Sequence, residues 1–303
     1  MSSSAPKIGL ALSGGGSRAI AFHLGCLRAL NKLGLLDRVE VLSTVSGGSV
    51  IGAYFHACIC TEGHDFASFE VKIRELLARG LVWPMFRKLF SPVGAKVILA
   101  FLASGGIALA MAVIKLLFAA VKPITPTVVA AQFERFELRS PLHRFASRTT
   151  LLEAVLDELL FGGVTLTGLS ARPHLVVNAT ELRTGSAFRF GTLESGSWRW
   201  GKLHRNDASV AHAVAASASY PLFLPAFDET LTFEKDGALK RSRVILTDGG
   251  VDLHSNLRLG SIWVKSGTEI ETGASFSLNL SANFVALPGE SGSFSIARAS
   301  RFR

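Results

Sequence analysis

Acidic residues are scarce in this chain. Its 303 residues carry 23 Asp and Glu against 32 Lys and Arg, a net charge of +9, and only 18% of positions are charged. With 49% apolar residues and a mean hydropathy of +0.37, the composition excludes a disordered chain, a coiled coil and a collagen-like fibre. Cysteine is sparse too: Cys26, Cys58 and Cys60 are the whole set, an odd number. That excludes a disulfide framework and fits a reducing compartment such as the cytoplasm. The one-residue gap in Cys58-Ile59-Cys60 is too tight for a zinc pair, so the thiols read as small buried apolar groups. An export signal is also lacking, because the apolar stretch after Lys7 breaks at Gly14-Gly15-Gly16, short of a signal-peptide core.

The shortage of acid is concentrated in one place. Between Glu75 and Glu134 there is none, although Arg79, Arg87, Lys88, Lys96, Lys115 and Lys122 lie there. Inside this basic segment, 76–133, the run from Val97 to Val121 is interrupted only by Lys115. As an unbroken helix that run reaches roughly 37 Å, enough to cross a bilayer core. Ser104-Gly105-Gly106 offers a point where it would bend into a re-entrant or interfacial hairpin. Three readings stay open: a buried core helix, an apolar flap lying on a membrane, and a membrane-inserted segment over 97–121. The basic flanks favour anionic lipid in either membrane reading. They make a poor nucleic-acid surface, since no aromatics interleave to stack bases.

Elsewhere the apolar spacing alternates between strand and helix. Lys7 to Leu12 reads as a buried strand, Ser17 to Leu33 as a helix closed by Gly34, Val41 to Val45 as a second strand, and Ser49 to Cys60 as a second helix. Two such units in succession imply a parallel sheet with helices on both faces. His174 to Thr180 and Arg243 to Thr247 read as further core strands, and Ala208 to Ser217 as a helix stopped by Pro221. The expected architecture is a three-layer α/β/α sandwich with a mainly parallel central sheet. It would form one catalytic domain over 1–260, with an apolar helical insertion at about 84–130. The Ser-, Gly- and Ala-rich tail over 261–303 reads as divergent or truncated.

The turn Gly14-Gly15-Gly16-Ser17-Arg18 lies between the first strand and the first helix. Glycines there free backbone N–H groups to meet an anion beside a helix N-terminus. A dinucleotide would want a third glycine where Ala19 stands and a carboxylate after the next strand, which ends in Thr44-Val45-Ser46. The other anion is the oxyanion formed when an ester carbonyl is attacked, with Gly15 and Gly16 as donors and Arg18 strengthening the field. Ser46, in Thr44-Val45-Ser46-Gly47-Gly48, sits between a strand and a helix as a nucleophile elbow does, with Thr44 at the position that pattern gives to glycine. A plain helix N-cap is the competing reading of Ser46. Asp248, in Asp248-Gly249-Gly250, also emerges at a strand end. Only His254 follows it, and none of the seven earlier histidines stands in a setting that suggests a triad.

Taken together, Gly14-Gly15-Gly16-Ser17-Arg18, Ser46 within Val45-Ser46-Gly47-Gly48, and Asp248-Gly249-Gly250 resemble the patatin-like phospholipase family. Asn178 to Gly185 and Ala215 to Pro221 are similar to it as well, so the likeness runs from residue 8 to about 250. The resemblance implies a Ser–Asp dyad without histidine. Ser46 would be the nucleophile, Asp248 the base, and the Gly14–Gly16 turn with Arg18 the oxyanion hole. It implies no metal and no cofactor, with a phospholipid or other lipid ester as substrate. Segment 76–133 would then dock the protein on lipid or cover an acyl pocket. A membrane-associated lipid-binding protein without turnover is the alternative from a different class.

Overall fold

The computed structural model describes residues 8–121, 146–251 and 284–285. The tail over 261–303 lies outside the described residues except for Phe284–Val285, as do His254 and Lys122.

The first half follows the apolar spacing closely. β1 (Ile8–Leu12) buries Ile8, Leu10 and Leu12, the alternate positions that a pleated strand puts on one face. α1 (Gly16–Lys32) buries Ile20, Leu24, Leu27 and Leu30 along one helical stripe, and Gly34 follows it at φ 63°, a left-handed conformation that suits glycine. β2 (Val39–Val45) pairs parallel with β1, and Leu12 lies opposite Thr44. α2 (Gly47–Phe55) starts two residues before the Ser49 expected from sequence and loosens into a wider π turn over His56–Thr61. α3 (Phe66–Arg79) then packs on α1.

The basic, apolar segment forms α4 (Val82–Lys88) and α5 (Pro92–Val121). α5 runs through Ser104-Gly105-Gly106 without breaking, and the Ser104 hydroxyl donates to the Ala100 carbonyl at 2.6 Å. Its length and composition would let it cross a membrane. It is no core helix: Leu99, Phe101, Leu102, Leu109 and Leu116 are exposed, and among its described side chains and glycines only Gly94, Val97 and Ala100 are buried, the last two beside Ala146. Near that contact begins α6 (Arg148–Leu156), capped by the Ser147 hydroxyl.

The remaining elements build the other side of a mixed sheet. They are β3 (His174–Glu181), β4 (Ser186–Gly191), β5 (Gly196–Ser197), β6 (Gly201–Leu203), α7 (Val210–Ser217), β7 (Phe227–Lys235) and β8 (Ala238–Asp248). Among the described residues the sheet has nine strands, with β9 (Phe284–Val285) antiparallel on the outer edge of β1. Parallel pairing is confined to β1–β2–β3; the other pairings are antiparallel. β7 and β8 are a long hairpin turned by Asp236-Gly237, both with positive φ as such turns require.

One register places the site. β4 occupies one edge of β3, so β2 and β8 must share the other edge. β2 ends with Val45 opposite Asn178, and β8, arriving from the opposite direction, ends with Asp248 opposite Ala179. Buried Glu181 holds the far end of this junction, accepting from the Ile245 N–H at 3.2 Å, the Arg183 N–H at 3.1 Å and the Trp200 indole at 3.4 Å. α2 and α7 pack against the face bearing Leu12, Thr44 and Ala179. On the opposite face Ser43, Val176 and Asn178 floor a cavity.

Candidate active site

Ser46 follows the last residue of β2 and precedes α2, with φ 52° and ψ −122°. A side chain rarely adopts this backbone, so surrounding contacts must hold it. Ser46 occupies the N-cap position of α2, yet its side chain makes no capping hydrogen bond. The hydroxyl instead lies beside the Asp248 carboxylate, close enough to lower the pKa of that acid. This geometry departs from a simple cap and leaves the serine oxygen at the positive end of a helix.

Glycines make the junction tight. A Cβ on Gly47 would lie 2.3 Å from the Gly16 carbonyl oxygen, and one on Gly48 would lie 2.5 Å from that of Leu12. Only bare backbone lets the two turns approach so closely. Gly15 and Gly16 carry φ of 136° and 61°, which likewise favour glycine. The Gly14–Gly16 turn therefore lies directly against the Ser46 turn, as an oxyanion hole would need. Arg18 is exposed in the first turn of α1 and lines the same cavity. Buried His23 ties the turn down through Nε2, 2.9 Å from the Ser13 carbonyl.

Thr44 stands where the elbow pattern has glycine, and the structure shows how it is housed. Its methyl group points at α2, where Gly52 leaves room: a Cβ on Gly52 would sit 2.5 Å from Thr44 Cγ2. Its hydroxyl donates to the Val176 carbonyl at 3.2 Å.

Asp248 is buried at the end of β8. Burial pushes its carboxyl above the ordinary value of 3.8, while the neighbouring Ser46 hydroxyl and the Gly250 N–H, which donates to it at 2.7 Å, pull it down. The balance raises it, which makes the carboxylate a stronger base than a solvated aspartate.

Ser217, which sequence reasoning left without a role, joins the two turns. Its buried hydroxyl accepts from the Ser46 N–H at 2.9 Å and donates to the Asn178 carbonyl at 2.6 Å. Its only proton being committed to Asn178, the Ser49 hydroxyl at 2.9 Å must be a donor to it. The Ser217 carbonyl accepts from the Gly249 N–H at 3.3 Å, and that of Ser219 accepts from the Asp248 N–H at 3.2 Å. Asn178 closes the network, its amide donating to Ser43 Oγ and the Thr44 carbonyl, both at 3.0 Å. A hydroxyl at the end of a buried Ala- and Val-rich helix was the available signal for Ser217.

These motifs recur together in one family. A profile described as patatin-like phospholipase matches residues 10–259. The chain belongs to that family. Its fold resembles VipD from Legionella pneumophila at 15% identity and a TM-score of 0.40, covering 90% of this chain and 49% of that one. It also resembles human GIVD cytosolic phospholipase A2 at 20% identity and a TM-score of 0.42, covering 70% of this chain and 28% of that one. The chain thus spans about half or less of the solved proteins it matches.

Among the described residues of this patatin-family chain, no histidine is hydrogen-bonded to Ser46. His174 lines the cavity but stands four residues before Asn178 on β3, about 13 Å away at strand spacing. His23 and His56 are buried with their rings committed to backbone carbonyls. His212 is held between Glu153 and Glu229. No cluster of metal-ligating side chains occurs among the described residues. The cavity over Ser46 and Asp248 measures about 1750 Å³, with Leu76, Leu77, Val82, Met85, Leu152 and Phe223 among its walls. That exceeds the usual volume of a small-molecule site and has room for an acyl chain.

Proposed function

We propose that this patatin-like protein is a serine-dependent lipid acyl hydrolase of the phospholipase A or lysophospholipase kind. The observation that carries the reading is the Ser46 turn, whose hydroxyl leaves its own helix uncapped at φ 52° and lies beside buried Asp248.

On this reading Ser46 Oγ attacks the ester carbonyl carbon while Asp248 takes its proton. The carbonyl π electrons move onto oxygen, and the backbone N–H groups of the Gly14–Gly16 turn receive that charge, with Arg18 adding positive field. Collapse of the intermediate breaks the ester C–O bond, and Asp248 returns its proton to the leaving alcohol. Water then attacks the acyl-serine while Asp248 accepts its proton; the acyl C–Oγ bond breaks, Asp248 passes that proton to Ser46 Oγ, and the fatty acid leaves. The apolar cavity walls hold the acyl chain, and α5 in segment 76–133 holds the protein at a lipid surface. Lipid supplied as vesicles tests this directly. Fatty acid released by the unsubstituted chain and lost in Ser46→Ala supports it. Release that persists in Ser46→Ala, or absence of release from folded protein, contradicts it.

A further inference from the structure

Exposed large apolar side chains gather on two sides of the cavity opening. On one side α4 presents Trp83, 68% exposed, stacked on Phe86 at 5.6 Å between ring centres; Phe86 in turn meets Phe90 edge-on at 5.7 Å. On the other, the turn after α7 presents Leu222 and Phe223, 72% and 65% exposed, with Phe223 beside Tyr220 at 6.3 Å. Val82 and Met85 of the first group and Tyr220 and Phe223 of the second line the same cavity as Ser46. Both groups are anchored on α6 and the turn after it. α4 packs against α6, and the Thr149 hydroxyl donates to the Pro225 carbonyl. Neither lip is loose: Arg87 and Lys88 of α4 pair with Glu158, while the Phe223 and Leu224 N–H groups donate to the Tyr220 carbonyl at 3.0 and 2.9 Å.

We infer that this two-lipped rim is itself a membrane-docking face, with residues 220–223 as a second anchor outside segment 76–133. Charge complementarity selects an anionic bilayer as the occupant. Arg79 and Lys96 flank the α4 lip, Arg148 lies between the lips, and none makes an ion pair among the described residues. The acid nearest α4, Glu158, is already neutralised by Arg87 and Lys88. Apolar rings surrounded by cations match the boundary between acyl chains and acidic headgroups. The face is also continuous with α5, whose apolar side chains stand exposed. Docked this way, the opening faces the bilayer, and a lipid reaches Ser46 from the membrane without crossing water. The inference rests on the lipid-ester reading of the Ser46 site, but its test does not require turnover.

The test uses the full chain with an environment-sensitive dye on Leu222→Cys. A dye on Leu239→Cys is the control, because Leu239 is an exposed apolar position on the β7–β8 hairpin that belongs to neither lip and does not line the cavity. Signals are read against unsubstituted protein labelled in the same way. Vesicles of phosphatidylcholine with phosphatidylglycerol should blue-shift the dye at 222 and leave the dye at 239 unchanged. Trp83→Asp with Leu222→Asp should weaken vesicle binding roughly tenfold or more, the loss expected when anchoring side chains leave the apolar phase. Vesicle-bound protein with no shift at 222, or equal shifts at both sites, overturns the inference. So does a shift at 222 that follows protein concentration without vesicles, which would mean a second copy covers the rim. Binding with the expected shifts but no ester hydrolysis would leave the docking face standing and remove the hydrolase reading.

Discussion

Ser46 and Asp248 reach the same edge of β3 from opposite directions. β2 climbs parallel to β3 and stops with Val45 at Asn178, and β8 descends antiparallel and stops with Asp248 at Ala179. Neighbouring residues of one strand thus fix the two turns, and the Ser46 hydroxyl meets the Asp248 carboxylate across the junction.

Burial raises the Asp248 carboxyl above 3.8, so activity should fall on acidification at a pH above the ordinary carboxylate range. Stability carries the opposite sign. The folded state binds this proton more tightly than the unfolded chain, so ionisation costs stability as pH rises from 3.8 through the folded value. Asp248→Asn should therefore cut kcat by a factor on the order of 10²–10⁴. Its Tm at neutral pH should be unchanged or higher. A pH–rate profile with parallel thermal melts checks both; a variant that is inactive because it is unfolded contradicts the assignment.

Ser217→Ala would strand the half-buried Ser46 N–H and the buried Ser49 hydroxyl together. An unpaired buried donor costs about 1–3 kcal/mol, and here the loss falls on a backbone held at φ 52°. The expected result is a slower chemical step with little change in KM. Ser49→Ala, which removes one donor and leaves Ser46 anchored, should do less. Single-turnover kinetics on both variants separates the two, and equal loss in both would contradict the special place of Ser217.

Thr44 and Gly52 should behave as a coupled pair. Gly52→Ala puts a methyl group 2.5 Å from Thr44 Cγ2 and should destabilise by about 1–3 kcal/mol, despite the better helix propensity of alanine. In a Thr44→Ser background, which removes that methyl and keeps the hydroxyl bonded to Val176, the same substitution should cost less. A double-mutant cycle by denaturant unfolding measures the difference.

His212 supplies a second pH effect away from Ser46. Burial alone would depress its imidazolium, but bonds to Glu153 and Glu229 hold it up at about 10. A raised histidine stabilises fully below its ordinary 6.5 and loses that contribution as pH rises through about 10. The contribution is on the order of a few kcal/mol. His212→Gln should therefore be less stable at pH 6 and flatten the fall in Tm between neutral and alkaline pH. A Tm–pH slope identical to that of the unsubstituted chain would contradict it.

Much of this was legible in the sequence where signals are local. β1, α1, β2 and the Ser46 turn announce themselves through contiguous apolar periodicity punctuated by glycine, and Asp248 through its strand end. The direction of β8 was not read, since Arg243 to Thr247 looks the same in either sense; its hairpin turn, Asp236-Gly237, was the clue. The bend entertained at Ser104-Gly105-Gly106 does not form. Two glycines cost a helix little in so apolar a run, and Ser104 finds its partner one turn back at Ala100. The bond from Ser46 to Ser217 spans 171 positions, and no spacing rule reaches that far.

Covalent labelling with a fluorophosphonate, followed by peptide mapping, tests the central claim most directly. Activated by Asp248 and backed by the Gly14–Gly16 turn, the Ser46 oxygen should displace the probe's leaving group and gain a single adduct. Asp248→Asn should label far more slowly and Ser46→Ala not at all. An adduct on another serine, or none on folded protein in the presence of lipid, would contradict the account.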